Sequence, residues 1–195
     1  MEAYYERRSA EYDDWYLGTG LFAQRDRPGW EDELSSLVEA IRALAPARTL
    51  DVACGTGFVT RHLPGDVVGL DRSPAMLAAT RERVDAPLVL ADALTLPFRD
   101  GSFDRAFTGH FYGHLVEERR QPFLDEVRRV AGELVVLDAA LRAGVEHDQI
   151  QERVLNDGSL HRVYKRFFEP DELATELGGE ILFAGRWFLV ARAGA

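Results

Sequence analysis

The chain has 195 residues with a formal charge of −10, 46% hydrophobic and 29% charged residues, values that predict one globular domain over 1–195 with a sizeable core. The acidic balance argues against gripping a phosphate backbone, which needs clustered Lys and Arg, so no nucleic-acid partner is expected. A single cysteine excludes an intrachain disulfide, and the lack of an 18-residue apolar run argues against a transmembrane helix or other membrane partner. The polar N-terminus does not read as a signal peptide; a cytoplasmic monomer or homodimer is expected.

Residues 1–30 are dense in aromatics: Tyr4, Tyr5, Tyr12, Trp15, Tyr16, Phe22 and Trp30. Tyr5, Tyr12 and Tyr16 recur at helical-type intervals. They read either as a small helix packed on the surface or as a lid over a bound ligand, with Tyr12 the foremost lid residue and Tyr5 and Trp15 next. Glu31 to Ala45 reads as an amphipathic helix, with Leu34, Leu37, Val38, Ile41 and Leu44 on one face, stopped by Pro46.

Thr49 to Ala53 reads as a buried strand carrying one acid, Asp51. Gly55 and Gly57 follow at once, and a short helix is expected from Thr60 to Leu63. Glycine tolerates positive φ and lets a ligand approach the backbone, and amides freed at a helix start point into such a turn. Pro64-Gly65-Asp66 turns into a second strand, Val67 to Asp71. Asp71 tips it 20 residues after Asp51, where a carboxylate can accept from ribose hydroxyls. Ser73-Pro74 opens the next helix. Leu88–Ala91 and Phe103–Phe107 read as the third and fourth strands. A helix is expected over 123–130, opened by Pro122, and Leu134–Leu137 reads as a buried fifth strand. The 139–166 stretch has weak periodicity, with His147, Asn156 and His161 of interest, and is expected to form a helix and loop inserted over an acceptor pocket. The final strands, 180–183 and 187–191, are separated only by Ala184-Gly185-Arg186, so they must form a hairpin. The fold expected is α/β: a doubly wound, mostly parallel, seven-stranded Rossmann-like sheet with an antiparallel final strand.

The glycine turn discriminates between nucleosides. Gly55-x-Gly57-x-x-Thr60 lacks the third glycine of a dinucleotide fingerprint, and a carboxylate at Asp51 would repel a pyrophosphate. A cofactor carrying an ammonium and a sulfonium tolerates it. Leu50-Asp51-Val52-Ala53-Cys54-Gly55-Thr56-Gly57 resembles the first motif of class I S-adenosylmethionine (SAM)-dependent methyltransferases, with Ala53 in place of the first glycine. Gly69 to Leu77 resembles the second motif. Leu90-Ala91-Asp92-Ala93-Leu94, with Leu96-Pro97-Phe98 and Ser102-Phe103-Asp104, resembles the third. Phe167 to Leu173 resembles a late segment of the small-molecule branch. The likeness covers roughly 32–192, leaving 1–30 as the lid segment.

This resemblance implies SAM as cofactor and methyl transfer to a small organic acceptor by in-line attack. Ala53, Gly55 and Gly57 would lie against its amino acid part, with Asp51 favouring the ammonium. Asp71 would take the ribose, Arg72 and Met76 would flank the adenine, and Asp92 and the Ala93 amide would meet its edge. Thr108 and Gly109 would hold the methionine part, and Tyr12 would cover the site. His110 and His114, four residues apart, are the candidate catalytic bases; the structural alternative is packing or capping after the fourth strand. Tyr112 and Asp138 are weaker candidates. The two histidines lack an evident third ligand, so no metal is expected. Cys54 reads as a packing residue. Two other functions remain open: a SAM-binding module or partner subunit without catalysis, and a nicotinamide oxidoreductase, which the Gly55–Thr60 spacing disfavours.

Overall fold

The computed structural model describes residues 2–194; Met1 and Ala195, the ends of the expected domain, lie outside them. The central sheet has seven strands: β1 (Ala47–Val52), β2 (Gly65–Asp71), β3 (Leu88–Leu90), β4 (Arg105–Gly109), β5 (Glu133–Ala139), β8 (Glu180–Ala184) and β9 (Phe188–Gly194). Their order is β3-β2-β1-β4-β5-β9-β8. The first five run parallel, and β9 is antiparallel to both β5 and β8. The chain moves outward from β1 to β3, then crosses back to β4 on the other side of β1. That reversal opens a crevice beyond the C-terminal ends of β1 and β4, where ligands bind in open α/β sheets.

Side-chain alternation explains why β5 reads as a continuous apolar run. Leu134 and Val136 join a cluster with Phe123 and Val127 of α5 (Glu117–Val130) and Leu173 of α6 (Pro170–Leu177). Val135 and Leu137 point the other way, toward Leu37 and Ile41 of α3 (Trp30–Arg42). Both faces of the strand are therefore covered, as a parallel sheet requires. No helix among the described residues is long and apolar enough to cross a membrane.

Several elements differ from the sequence expectation. α5 begins five residues before Pro122. Proline therefore sits inside its second turn, just past the unpaired first-turn amides, and leaves the Glu118 carbonyl without its i+4 amide. The helix expected after the glycine turn is only a 3-10 turn, Thr60–His62. The largest correction concerns 139–166. Instead of a helix and loop it forms an antiparallel ribbon of β6 (Asp148–Val154) and β7 (Leu160–Arg166). Its strands alternate half-covered and exposed residues, and exposed Ile150, Val154 and Leu160 blur the apolar pattern. The N-terminal segment holds α1 (Glu2–Arg8), α2 (Asp14–Leu17) and two 3-10 turns.

One carboxylate ties the last hairpin to α3. Glu33 accepts from the amides of Arg186 (2.9 Å), Trp187 (2.6 Å) and Phe188 (2.9 Å). Hydrogen bonds to a charged group contribute about 1.5–3 kcal/mol each when partly shielded, less where water replaces them. We expect Glu33→Ala to cost about 1–3 kcal/mol, measured as a lower urea midpoint with an unchanged slope.

Candidate functional site

The first strand ends in a strained turn. Ala53 has φ 61°, Gly55 φ 58° and Gly57 φ 74°. A Cβ on Gly57 would lie 2.9 Å from the Thr80 methyl, so glycine is required there on two counts. Asp71, only 8% exposed, reaches back across the crevice. Its carboxylate accepts from the Gly55 amide and the Ser73 amide, both at 2.9 Å. Ser73 in turn caps α4 (Pro74–Arg81) through the Met76 amide at 3.1 Å. One acid thus fixes the glycine turn, the end of β2 and the start of α4.

Asp51 lies at the floor, 2% exposed, and accepts from the Thr60 hydroxyl at 2.6 Å. Burial pushes its carboxyl up to about 7, opposed by that hydrogen bond and helped by the charge of Asp71. A buried acid with one neutral partner would gain from a cation beside it. Burial also raises the Cys54 thiol, consistent with a packed, inert side chain.

The other wall is the end of β4. The Thr108 hydroxyl donates to the Val52 carbonyl at 2.8 Å, tying β4 to β1. His110 then takes φ 55°, a second left-handed non-glycine residue on the crevice. Its ring packs edge-on against Trp15 at 4.8 Å and Tyr16 at 5.8 Å. The N-terminal segment roofs the crevice: Tyr16 stacks on Phe58 at 4.0 Å, and Tyr12 lies over Gly55. Asp13 clasps it down, accepting from the Thr56 hydroxyl and pairing with Arg83, each at 2.6 Å. Between Tyr12, Tyr16, Asp51 and Gly109 remains a space of about 20 Å³, room for roughly one water.

Residues 50–134 match the family described as "Methyltransferase domain". The chain is 37% identical over 111 residues to a demethylmenaquinone methyltransferase of Thermotoga maritima, covering 52% of this chain and 48% of that one. It is 40% identical over 84 residues to a malonyl-[acyl-carrier protein] O-methyltransferase of Legionella pneumophila, covering 37% of this chain and 30% of that one. Among solved structures, the DhpI-SAM-HEP complex superposes with a TM-score of 0.75 at 28% identity, over 97% of this chain and 94% of that one. Over residues 50–134 the chain is similar in sequence to class I SAM-dependent methyltransferases, and its fold matches the DhpI complexes over nearly its whole length. It spans about half the length of the first curated relatives it matches.

The crevice has chemistry that suits SAM, the cofactor of the DhpI-SAM-HEP complex. A buried Asp51 and a turn with two glycines are the right chemistry for an ammonium-bearing amino acid, and Asp71 keeps lone-pair capacity beyond its backbone bonds. Arg72 and Asp92 sit at the rim as a half-exposed ion pair at 3.9 Å. Ala93 is buried beside them, and Met76 is 1% exposed inside α4's packing face. His114 lies farther along, its Nδ1 2.6 Å from the Tyr164 carbonyl. Burial lowers both His110, to about 3, and His114, so both rings are neutral. A carbonyl only accepts, so the His114 Nδ1 carries the proton and Nε2 the lone pair. The other residues of interest are spoken for elsewhere: Tyr112 donates to Glu176 at 2.7 Å, His147 contacts Glu172 at 2.7 Å, His161 contacts Ser159 at 2.9 Å, and the Asn156 amide donates to Glu11 at 3.0 Å.

A second, larger cavity of about 750 Å³ adjoins the crevice across Tyr12 and His110, bounded by the N-terminal segment, the β6–β7 ribbon and the end of β5. Its lining includes Tyr5, Trp15 and His114 but also Arg8, Arg153 and Lys165, which sequence reasoning did not single out. They come from distant segments, and no local motif links them.

With its carboxyl raised to about 7, Asp51 is expected to make the affinity for an ammonium-bearing cofactor depend on pH. A folded carboxyl raised above its unfolded value stabilises the free protein fully below the unfolded pKa, and that contribution is lost as pH rises through about 7. A cofactor ammonium instead favours the ionised acid. SAM should therefore bind about tenfold tighter at pH 8 than at pH 6, and Asp51→Asn should flatten the profile. Titration calorimetry at both pH values checks this; an equally steep profile in Asp51→Asn would remove Asp51 as its source.

Proposed function

We propose that the protein transfers the methyl group of SAM to a small organic acceptor held in the 750 Å³ cavity. The observation that carries the reading is the contact between two spaces. The glycine-turn crevice has the chemistry for the cofactor, and the larger cavity shares Tyr12 with it, with Gly109 lining the one and the next residue, His110, the other. The bound cofactor supplies an already activated sulfonium methyl.

The chain's own contribution is positioning and exclusion of water. Holding nucleophile and methyl carbon in near-attack geometry can supply about 7–11 kcal/mol. Tyr12, Trp15 and Tyr16 close the roof and exclude solvent. Asp51 and Asp71 orient the cofactor from opposite sides of the crevice. For a hydroxyl or amine acceptor, the neutral imidazoles of His110 and His114 are the candidate proton acceptors, made weak bases by the burial that lowers them.

The test has two parts. Calorimetry compares SAM, S-adenosylhomocysteine and NAD; binding of NAD alone would overturn the cofactor reading. Incubation of a metabolite extract with methyl-labelled SAM then reads transfer. Tight SAM binding with no labelled product across broad extracts would leave a binding module instead. Full activity in both His110→Ala and His114→Ala would remove the proton-acceptor role.

A further inference from the structure

The cavity's charge is opposite to that of the molecule. The chain as a whole carries −10, yet the cavity is lined by Arg8, Arg25, Arg27, Arg142, Arg153 and Lys165 against only Asp26 and Glu152. Only one of the six cations has a carboxylate partner among the described residues, and two more are held against the wall by a backbone carbonyl and a tryptophan ring. Lys165 pairs with Asp138. Arg27 donates to the Trp15 carbonyl at 2.6 Å and covers the Trp30 ring. Arg142 donates to the Ala140 carbonyl at 3.1 Å and covers Trp187.

The other three have no carboxylate partner among the described residues. Arg8 is 7% exposed; it donates to the Tyr4 hydroxyl and faces the rings of Tyr4, Tyr12 and Phe22. Arg153 forks onto the Gln151 side-chain oxygen at 3.2 and 2.9 Å and reaches the same Tyr4 hydroxyl at 3.4 Å. Arg25 lies over Phe22 at 4.6 Å. The three come from α1, the segment before α3, and β6, and they are close enough to repel: Arg8 and Arg153 both push Arg25 downward, after burial.

Neutral partners position these guanidiniums but leave their charge uncompensated. Desolvating an unpaired cation costs several kcal/mol, a cost that falls on buried Arg8 and in part on half-buried Arg153, while Arg25 stands exposed at the mouth; like charges held together cost more. A guanidinium has five N–H donors in a planar fork that matches an oxyanion, and the observed bonds use only some of them. A sulfonium donor next door would add a further positive charge. We propose that the acceptor is a small oxyanion, bearing a carboxylate or a phosphoryl group, and that Arg8, Arg25 and Arg153 form its anion subsite. This rests on the methyl-transfer reading for what happens to the molecule, not for the anion binding itself.

The test titrates inorganic phosphate and, separately, sodium acetate into the protein in low-salt buffer, with and without S-adenosylhomocysteine. Saturable binding of either anion is expected; phosphate binding without acetate binding assigns a phosphoryl group, and the reverse a carboxylate. Arg153→Gln should weaken that binding about tenfold, Arg153→Lys should weaken it less, and S-adenosylhomocysteine affinity should stay within about twofold. In the labelled-extract assay, the product should come from the fraction retained by an anion-exchange resin. No binding of either anion at tens of millimolar would overturn the subsite. So would unchanged anion binding in Arg153→Gln, or label confined to the unretained fraction. Anion binding by a protein that ignores SAM would instead remove the methyl-transfer reading and leave the subsite standing.

Discussion

On the reading that Asp71 accepts both ribose hydroxyls, Asp71→Asn should lower SAM affinity by about two to four orders of magnitude, because it takes the charge, and one acceptor oxygen, from two hydrogen bonds of about 1.5–3 kcal/mol each. The substitution is nearly isosteric, but the chemistry is not. Both carboxylate oxygens already accept a backbone amide, from Gly55 and from Ser73. An amide side chain offers one oxygen and one NH₂, so one of those two N–H groups would face a donor. The glycine turn or the start of α4 must then shift. The loss thus has a direct part, at the sugar, and an indirect part, at the turn that approaches the amino acid. Calorimetry reads the total, and thermal melting of the free protein reads the turn alone. A melt lowered by a few degrees with affinity within threefold of the wild type would mean that Asp71 is a structural clamp and the ribose lies elsewhere.

The elements legible in the sequence are those buried on both faces. β1, β2, β4 and β5 are short apolar runs because helices cover both sides of the sheet, and a three-residue link forces β8 and β9 to pair as a hairpin whatever surrounds them. Asp51, Asp71 and the two glycines are legible for a different reason: a single turn brings them together, so the pattern is local. The β6–β7 ribbon is not legible, because β6 buries none of its seven side chains and β7 only two, too few to set a period. Its one local signal is Asn156-Asp157-Gly158, a turn sequence between the two strands. The start of α5 was hidden by reading Pro122 as an opening residue, when a proline is also tolerated slightly deeper where a first-turn carbonyl is left free. The cationic cavity is invisible to any window, since Arg8 and Arg153 are joined through Tyr4, a contact between α1 and β6 that only the folded chain makes.

Lys165→Met should destabilise the protein by about 3–5 kcal/mol at neutral pH, the range for stripping one partner from a buried ion pair. Lys165 and Asp138 are 5% and 0% exposed and hydrogen-bonded to each other. Burial alone would raise Asp138, but the neighbouring ammonium, then the Gly113 amide, hold it below the usual carboxylate range. The Gly113 and Ala139 amides, both at 2.7 Å, complete its shell. Gly113 leaves no room for a rearrangement, since a Cβ there would stand 2.8 Å from the ammonium and 2.9 Å from the carboxylate. Methionine matches the volume of the lysine stem, so the cost falls on the stranded charge rather than on packing. The depressed wild-type carboxyl keeps its contribution down to its folded value, whereas in Lys165→Met burial without the cation raises the same carboxyl; the variant therefore takes up a proton first, and the gap between the two should narrow on going to pH 4.5. Asp138→Asn combined with Lys165→Met removes both charges, and it should recover most of the loss because a neutral replacement of a buried pair costs little. Urea denaturation of the four proteins at pH 7 and pH 4.5 gives the coupling directly. A double variant no more stable than Lys165→Met alone would show that the lysine contributes through its stem, and that the buried pair is not what holds β7 against the end of β5.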